Sequence, residues 1–199
     1  MTQSNHRITQ SPNDQIYRRM RVIAGALKGR RLTAPTWDGL RPTSDKLRET
    51  LFNLLAPAVA GARLLDGYAG TGAVGIEAIS RGAREVTFVE RDRRARALIA
   101  KNVADCGIVE GYAIIGSTVL HAIETLSDGP AFDIVFLDPP YASDIHDVLQ
   151  HVGAIVKEDG IVIVEHARRS QPPDAAGTLR RTREVRSGDS SLSIYACQR

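Results

Sequence analysis

The chain has 199 residues, the length of about one domain with an extension, and its 43% hydrophobic and 25% charged residues indicate a globular protein. It contains no apolar run of about 18 residues, and its first twenty residues lack the apolar stretch of a secretory signal. We therefore expect a cytoplasmic protein without a membrane span. Cys106 and Cys197 do not form a CxxC pair, which argues against a disulfide framework or a metal site.

The net charge of +3 is unevenly distributed along the chain. Residues 1–50 carry a balance of +6, residues 51–165 of −7 and residues 166–199 of +4. Basic flanks around an acidic middle suggest that the flanks contact a polyanion. A solvated basic surface explains the charge alone equally well.

The first sixty residues divide into a tail and a small extension. Residues 1–19 are polar and without periodicity, so we expect a disordered tail. Within 20–60, two short β-prone runs, 21–25 and 30–35, predict a basic hairpin around a Gly/Lys turn. A helix is predicted from Thr43 or Ser44 to Pro57.

Residues 61–199 alternate apolar strands with helices, which predicts one Rossmann-like α/β domain with a mostly parallel sheet. The last two strand-like runs are joined by SGDS and predict an antiparallel hairpin at the sheet edge. The expected fold is therefore a seven-stranded sheet with a C-terminal antiparallel hairpin. A helix is predicted near 144–156, followed by the strand GIVIVEH.

A glycine cluster follows the first strand of this domain and opens a helix. Gly70, Gly72 and Gly75 match G-x-G-x-x-G, a turn that lets a ligand approach the backbone and the helix N-terminus. Glu90 ends the next strand, where a carboxylate accepts hydrogen bonds from ribose hydroxyls. Together these residues predict an adenosine-containing ligand; the alternative is a tight turn without one.

Asp66 helps to distinguish between possible adenosine-containing ligands. It lies four residues before Gly70, where the phosphates of a dinucleotide would repel a carboxylate. S-adenosylmethionine instead brings a sulfonium and an ammonium group, which a carboxylate attracts. Asp66 could also serve as a turn carboxylate that accepts hydrogen bonds from backbone amides.

A second motif ends the strand FDIVFLD: Asp138, Pro139, Pro140 and Tyr141. The prolines fix the backbone and leave its carbonyls exposed. A carboxylate and a carbonyl can accept both hydrogens of an exocyclic amine, while Tyr141 offers a ring for a base to stack on. The motif predicts methyl transfer to a nucleobase amine; by itself it could be only a turn.

With these motifs the chain resembles the class I, Rossmann-type methyltransferases of nucleobase amino groups, in LLDGYAGTGAVGIEAISRGA, FVERD and FLDPPY. More narrowly, RVIAGALKGRRL and LRPTSDKLRETLFNLL resemble the RsmD family, bacterial methyltransferases of guanine N2 in small-subunit rRNA. The resemblance runs from about Met20 to the C-terminus.

The resemblance implies S-adenosylmethionine at the glycine turn and the target guanine at Asp138–Tyr141. The implied cofactor residues are Asp66, Tyr68, Gly70, Gly72, Glu90 and Ser117. Ser117 stands where the family commonly has an aspartate against the adenine, and Tyr68 keeps an aromatic residue after Asp66. The implied catalytic residues are Asp138, Pro139 and Tyr141.

Weaker candidates for RNA contact lie upstream and beside the motif. They are Arg30, Arg31, Arg41, Thr43, Arg48 and Pro140. The residues that begin the helix could instead cap the cofactor pocket or form a solvated helix face with local ion pairs.

The sequence thus predicts an rRNA (guanine-N2) methyltransferase that uses S-adenosylmethionine and no metal. We expect a monomer that acts on small-subunit rRNA within a 30S particle or an assembly intermediate. The alternatives are another amino target, such as adenine N6 in DNA or a different rRNA guanine, a nucleotide-dependent oxidoreductase, and a noncatalytic RNA-binding module.

Overall fold

The computed structural model describes residues 20–37, 40, 43–140 and 145–198. The described helices are α1 (Asp45–Leu55), α2 (Ala73–Ser80), α3 (Arg93–Asp105), α4 (Val119–Leu126) and α5 (Ile145–Val152), with a 3-10 turn at Gly153–Ile155. The described strands are β1 (Arg63–Gly67), β2 (Glu85–Val89), β3 (Tyr112–Ile115), β4 (Phe132–Leu137), β5 (Val156–Ala167), β6 (Ala175–Ala176), β7 (Leu179–Ser187) and β8 (Ser190–Cys197).

The strands form one sheet in the order β3-β2-β1-β4-β5-β8-β7-β6. β1 to β5 are parallel, and β8, β7 and β6 are antiparallel to their neighbours. This confirms the predicted α/β class with its C-terminal hairpin. The described part of the sheet has eight strands rather than seven, because the two residues of β6 pair with the start of β7.

Helices cover the sheet on both faces. The α1 face packs under α1, α2 and α3 and includes Leu64, Phe136 and Ile163. The α4 face packs under α4 and α5 and includes Leu137 and Val164. Because successive side chains of a strand point to opposite faces, these two sets determine where the polar residues at the strand ends point.

The N-terminal extension forms a short version of the predicted hairpin, in which the amides of Val22 and Leu32 donate to the carbonyls of Arg30 and Met20, each at 2.9 Å. Its two β-prone runs share one isolated antiparallel bridge, between Arg21 and Arg31. The amides of Ile23 and Ala24 instead donate to the carboxylate of Glu77 on α2, at 2.7 and 3.0 Å. A side chain of the main domain therefore satisfies backbone amides of the first run that do not pair across the hairpin.

Two element boundaries can be compared with their predictions. Ser44 caps α1 by accepting a hydrogen bond from the amide of Leu47 at 3.2 Å, as predicted for that position. The helix predicted to reach residue 156 ends at Val152, and β5 begins at Val156, before the predicted GIVIVEH. β5 is twelve residues long and extends at its carboxyl end to Ala167.

Candidate active site

The candidate site lies at the carboxyl edge of the parallel strands, where ligands bind in open α/β sheets. Asp66 is in β1, Glu90 follows β2 and Asp138 follows β4. β1 lies between β2 and β4 in the sheet. The fold therefore brings the two predicted motifs to neighbouring strand ends.

The glycine turn is built as its spacing predicts. Gly70 and Gly72 have φ of +55° and +76°, a left-handed conformation that favours glycine. A Cβ on Gly75 would lie 2.2 Å from Cε1 of Phe88, so this third glycine lets α2 pack directly on β2. The glycines thus allow both the left-handed turn and the close packing of α2 on the sheet.

Asp66 is buried, with 2% of its surface exposed. Its Oδ2 accepts a hydrogen bond from the amide of Gly75 at 3.0 Å, so the carboxyl group supports the start of α2. Burial raises the pKa of Asp66 to about 7, and the nearby charges of Asp138 and Glu90 add to this effect. A cation bound beside Asp66 would stabilise its ionised form.

Glu90 holds the glycine turn against the end of β2. Its carboxylate accepts hydrogen bonds from the amide of Gly70 at 3.0 Å and from the amide of Asp92 at 2.8 Å. Each carboxylate oxygen has a second lone pair, so the group keeps acceptor capacity for a ligand. The contact with a ribose stays a prediction.

Tyr68 and Ser117 flank this part of the edge. Tyr68 has φ of +142°, an uncommon conformation for a residue with a side chain, directly before the glycine turn. The Ser117 hydroxyl donates to the carbonyl of Thr118 at 3.0 Å, while Arg96 packs so closely on Gly116 that a Cβ there would lie 2.9 Å from the guanidinium. Their contacts with a cofactor stay predictions.

Leu40 and Thr43, which precede α1, lie over the two motifs. The Thr43 hydroxyl donates to Oδ2 of Asp138 at 3.5 Å. A Cβ on Gly70 would lie 3.1 Å from Cδ1 of Leu40, so this side chain covers the glycine turn. Of the alternatives for Thr43, the structure favours a cap over the site.

The proline residues of the second motif differ in exposure: Pro139 is half-buried and Pro140 is exposed. Two predicted residues, Arg41 and Tyr141, lie outside the described part of the chain. The predicted roles of these residues therefore rest on sequence.

The predicted RNA contact of Arg48 is wrong. Its side chain is completely buried, 2.6 Å from Asp45 and 3.5 Å from Glu77, and it also donates to the carbonyl of Arg21. A buried guanidinium cannot meet a phosphate, and this one joins α1 to α2 and to the N-terminal extension.

Three further residues that the sequence did not single out attach the extension to the main domain. Glu77 binds the amides of Ile23 and Ala24, as described above, and Ser80 accepts from the amide of Leu27 at 2.9 Å. Asn102 accepts from the amide of Thr33 at 2.7 Å and donates to the carbonyl of Thr71, inside the glycine turn, at 2.9 Å. Only their burial identifies them, because they lie on apolar helix faces.

Comparison with known proteins agrees with this architecture. The sequence model of the conserved hypothetical protein 95 family matches residues 20–196. The chain belongs to this family, the RsmD family. The N-terminal extension, the glycine turn and the main domain up to residue 196 lie inside the matched range.

Individual members of the RsmD family match over almost their whole length. The putative rRNA methyltransferase YlbH of Bacillus subtilis is 36% identical over 88% of this chain and 98% of its own. The ribosomal RNA small subunit methyltransferase D of Escherichia coli K12 is 34% identical over 92% of this chain and 93% of its own. The solved structure of the putative methyltransferase yhhF from Escherichia coli superposes with a TM-score of 0.75 at 29% identity, over 90% and 98% of the two chains.

Membership in the RsmD family confirms the predicted enzyme class. The chain is a methyltransferase with a Rossmann-like fold. The described residues contain no cluster of three or more His, Cys, Asp or Glu side chains arranged to hold a metal ion. None of the helices described is both long and apolar enough to cross a bilayer.

Four exposed arginines of this RsmD-family chain lie on two surfaces. Arg30 and Arg31 are exposed, but their loop binds Ser80 at the far end of α2, one helix length from the strand edge. Arg168 and Arg169 are also exposed and directly follow β5 on the edge that carries Asp138. The sequence had shown the C-terminal charge without indicating that part of it lies beside the site.

Proposed function

We propose that this protein transfers a methyl group from S-adenosylmethionine to the exocyclic N2 of a guanine in small-subunit rRNA. The observation that carries the proposal is the position of Asp138, at the strand end beside Asp66 and under Thr43, within a chain of the RsmD family. Relatives named as small-subunit rRNA methyltransferases support the choice of RNA.

The residues at the glycine turn fit the proposed cofactor. Asp66 and Glu90 are acidic, and no lysine or arginine occurs between Asp66 and Arg81. This charge suits a sulfonium and an ammonium group and opposes a pyrophosphate. We assign the ribose to Glu90, the amino-acid end to the side of Asp66, and the adenine to the edge at Ser117, with Tyr68, Gly70 and Gly72 shaping the pocket.

S-adenosylmethionine, when bound, supplies an electrophilic methyl group on a sulfonium that leaves as a neutral thioether. The task of the protein is to make the guanine N2 a better nucleophile, since its lone pair is delocalised into the ring. Asp138 and the carbonyl of Pro139 each accept a hydrogen bond from one N–H of the amine and hold the nitrogen near tetrahedral geometry. After transfer the nitrogen is cationic, and Asp138 can accept its proton.

The rest of the motif and the basic surfaces hold the RNA. We assign stacking on the target base to Tyr141, and further contacts with the RNA to Pro140 and Arg41. Arg30 and Arg31 on one surface, and Arg168 and Arg169 on the other, contact phosphates without reading sequence. A 30S particle or an assembly intermediate supplies a surface large enough to reach both.

The decisive experiment is single-turnover methylation of small-subunit particles from a strain that lacks the enzyme, with the product nucleoside identified by mass spectrometry. Asp138→Ala should leave S-adenosylmethionine affinity nearly intact and lower methyl transfer by about 10²-fold or more. Asp128→Ala, at an exposed carboxylate away from the site, is the matched control. Wild-type rates for Asp138→Ala would overturn the assignment of the motif.

The same assay addresses the alternatives. Methyl transfer to adenine N6 of DNA, or to another rRNA guanine, would correct the target and keep the chemistry. Binding of NADH in place of S-adenosylmethionine would favour an oxidoreductase. RNA binding without any methyl transfer would indicate that the protein is a noncatalytic RNA-binding module.

A further inference from the structure

Glu165, near the carboxyl end of β5, has no role in the proposed reaction. Leu137 of β4 pairs with Val164 of β5, and Asp138 and Glu165 are the next residues on the two strands. Leu137 and Val164 both point to the α4 face. By alternation, Asp138 and Glu165 both point to the α1 face, side by side on neighbouring strands.

The contacts of the two residues confirm this placement. Glu165 of β5 pairs with Leu192 of β8, which belongs to the α1 face. Asp138 accepts a hydrogen bond from Thr43, which precedes α1. Oε1 of Glu165 accepts a hydrogen bond from the Ser190 hydroxyl at 3.1 Å, which orients the carboxylate. Glu165 is half-buried, so its interactions are less weakened by water than those of a surface carboxylate.

Helix α1 passes over this position. Thr43, two residues before α1, contacts Asp138 just after β4, and Thr50 of α1 lies 3.2 Å, hydroxyl to hydroxyl, from Ser187 at the end of β7. In the sheet, β5 and β8 lie between those two strands. Glu165 therefore lies in a covered part of the strand edge, next to the residue assigned to the target amine.

The chemistry of the purine edge gives this carboxylate a task. Guanine presents an N1–H donor directly beside its N2 amine, whereas a purine without that hydrogen presents a lone pair at N1. An ionised carboxylate only accepts hydrogen bonds, so it favours the first edge and opposes the second.

We propose that Glu165 determines the specificity for guanine by accepting the N1–H of the target base while Asp138 and the Pro139 carbonyl hold N2. This inference rests on the proposed function. It adds a residue that distinguishes guanine from other purines with an amine at the same carbon.

The test replaces the target guanine by 2-aminopurine, which keeps the amine at C2 and has an unprotonated N1. Small-subunit particles are reconstituted with rRNA ligated to carry either base, and kcat/KM is measured for wild type and for Glu165→Gln. The glutamine amide can donate to the N1 of 2-aminopurine. We expect wild type to prefer guanine by about 10- to 100-fold, the effect of one hydrogen bond to a charged group, and Glu165→Gln to lose most of this preference.

Controls separate this role from a structural one. Glu158→Gln, at an exposed carboxylate at the other end of β5, should keep the preference, and both variants should bind S-adenosylmethionine like wild type. If Glu165→Gln does not fold, Ser190→Ala removes the orienting hydrogen bond and should narrow the preference severalfold. An unchanged preference in the variant that folds overturns the inference, whereas a wild type that does not methylate guanine N2 overturns the proposed function instead.

Discussion

The guanidinium of Arg48 on α1 and the carboxylate of Glu77 on α2 lie 3.5 Å apart, and both side chains are completely buried. Glu77 also binds two amides of the N-terminal extension. We predict that Glu77→Ala lowers the free energy of unfolding by about 3 to 5 kcal/mol, because it removes the buried partner of Arg48, leaving only the half-exposed Asp45, and the acceptor of both amides. Urea unfolding measures this loss.

The matched control is Lys101→Ala, which breaks the exposed ion pair with Asp105 on α3. It should cost less than about 1 kcal/mol, since surface pairs contribute little. Equal losses in the two variants would mean that the buried pair has no special part in joining the extension to the domain.

Glu90 is expected to contribute directly to cofactor binding. Glu90→Ala should weaken S-adenosylmethionine binding by about 1 to 3 kcal/mol, the contribution of hydrogen bonds to a charged group. Titration calorimetry measures the change, with Glu110→Ala, at an exposed carboxylate in the loop before β3, as the control. An affinity equal to that of wild type would remove Glu90 from the site.

The stability of the ligand-free protein should depend on pH through Asp66. Its pKa is raised from 3.8 to about 7, so in this window the folded protein keeps a proton that the unfolded chain has lost. Stability therefore falls as pH rises through the window. We predict that Asp66→Asn, which is never ionised, gains about 2 to 3 kcal/mol over wild type between about pH 5 and pH 8. Parallel stability curves for the two proteins would contradict this.

The two basic surfaces should differ in their effect on RNA binding. Neutralising Arg168 and Arg169 with glutamine should reduce the salt dependence of binding by about one to two ion equivalents and also lower kcat/KM, because these residues lie on the site edge. Neutralising Arg30 and Arg31 should change the salt dependence with little effect on kcat. Lys157→Gln, at the opposite edge of the sheet, is the control. If neither double variant changes the salt dependence of RNA binding, the two surfaces are solvated and do not contact RNA.

Thr43 should orient Asp138 in the reaction. Thr43→Val removes the 3.5 Å hydrogen bond and should lower kcat about three- to tenfold, with S-adenosylmethionine affinity unchanged. Thr43→Ser keeps the hydroxyl and should restore the rate. If serine and valine behave alike, the hydrogen bond does not contribute to the rate.

The parts of the molecule that sequence predicts well are those encoded locally. The glycine turn and the prolines after β4 carry backbone constraints in consecutive residues, so their conformation and their place at strand ends follow from short segments. Ser44 as the cap of α1 is of the same kind. These features also carried the family resemblance.

The features that the sequence does not predict involve partners that are distant in the chain. Arg48 has the spacing of a surface helix residue, and only the folded chain brings Glu77 against it. The sequence likewise gives no sign that Glu77 and Ser80 bind amides of the N-terminal hairpin. A local pattern contains no information about such long-range hydrogen bonds.

The outer strand β7 has a consequence for how copies of this protein meet. β6 pairs only with Leu179 and Arg180 of β7. In the described sheet, the rest of β7 therefore has no neighbouring strand on its outer side. Open strand edges favour association with another chain and aggregation. Here a register shift between Arg181 and Arg183 distorts the edge, and the exposed Arg183 and Arg186 would oppose their counterparts in a second copy. The C-terminal arginines therefore also disfavour edge-to-edge pairing of the sheets of two molecules.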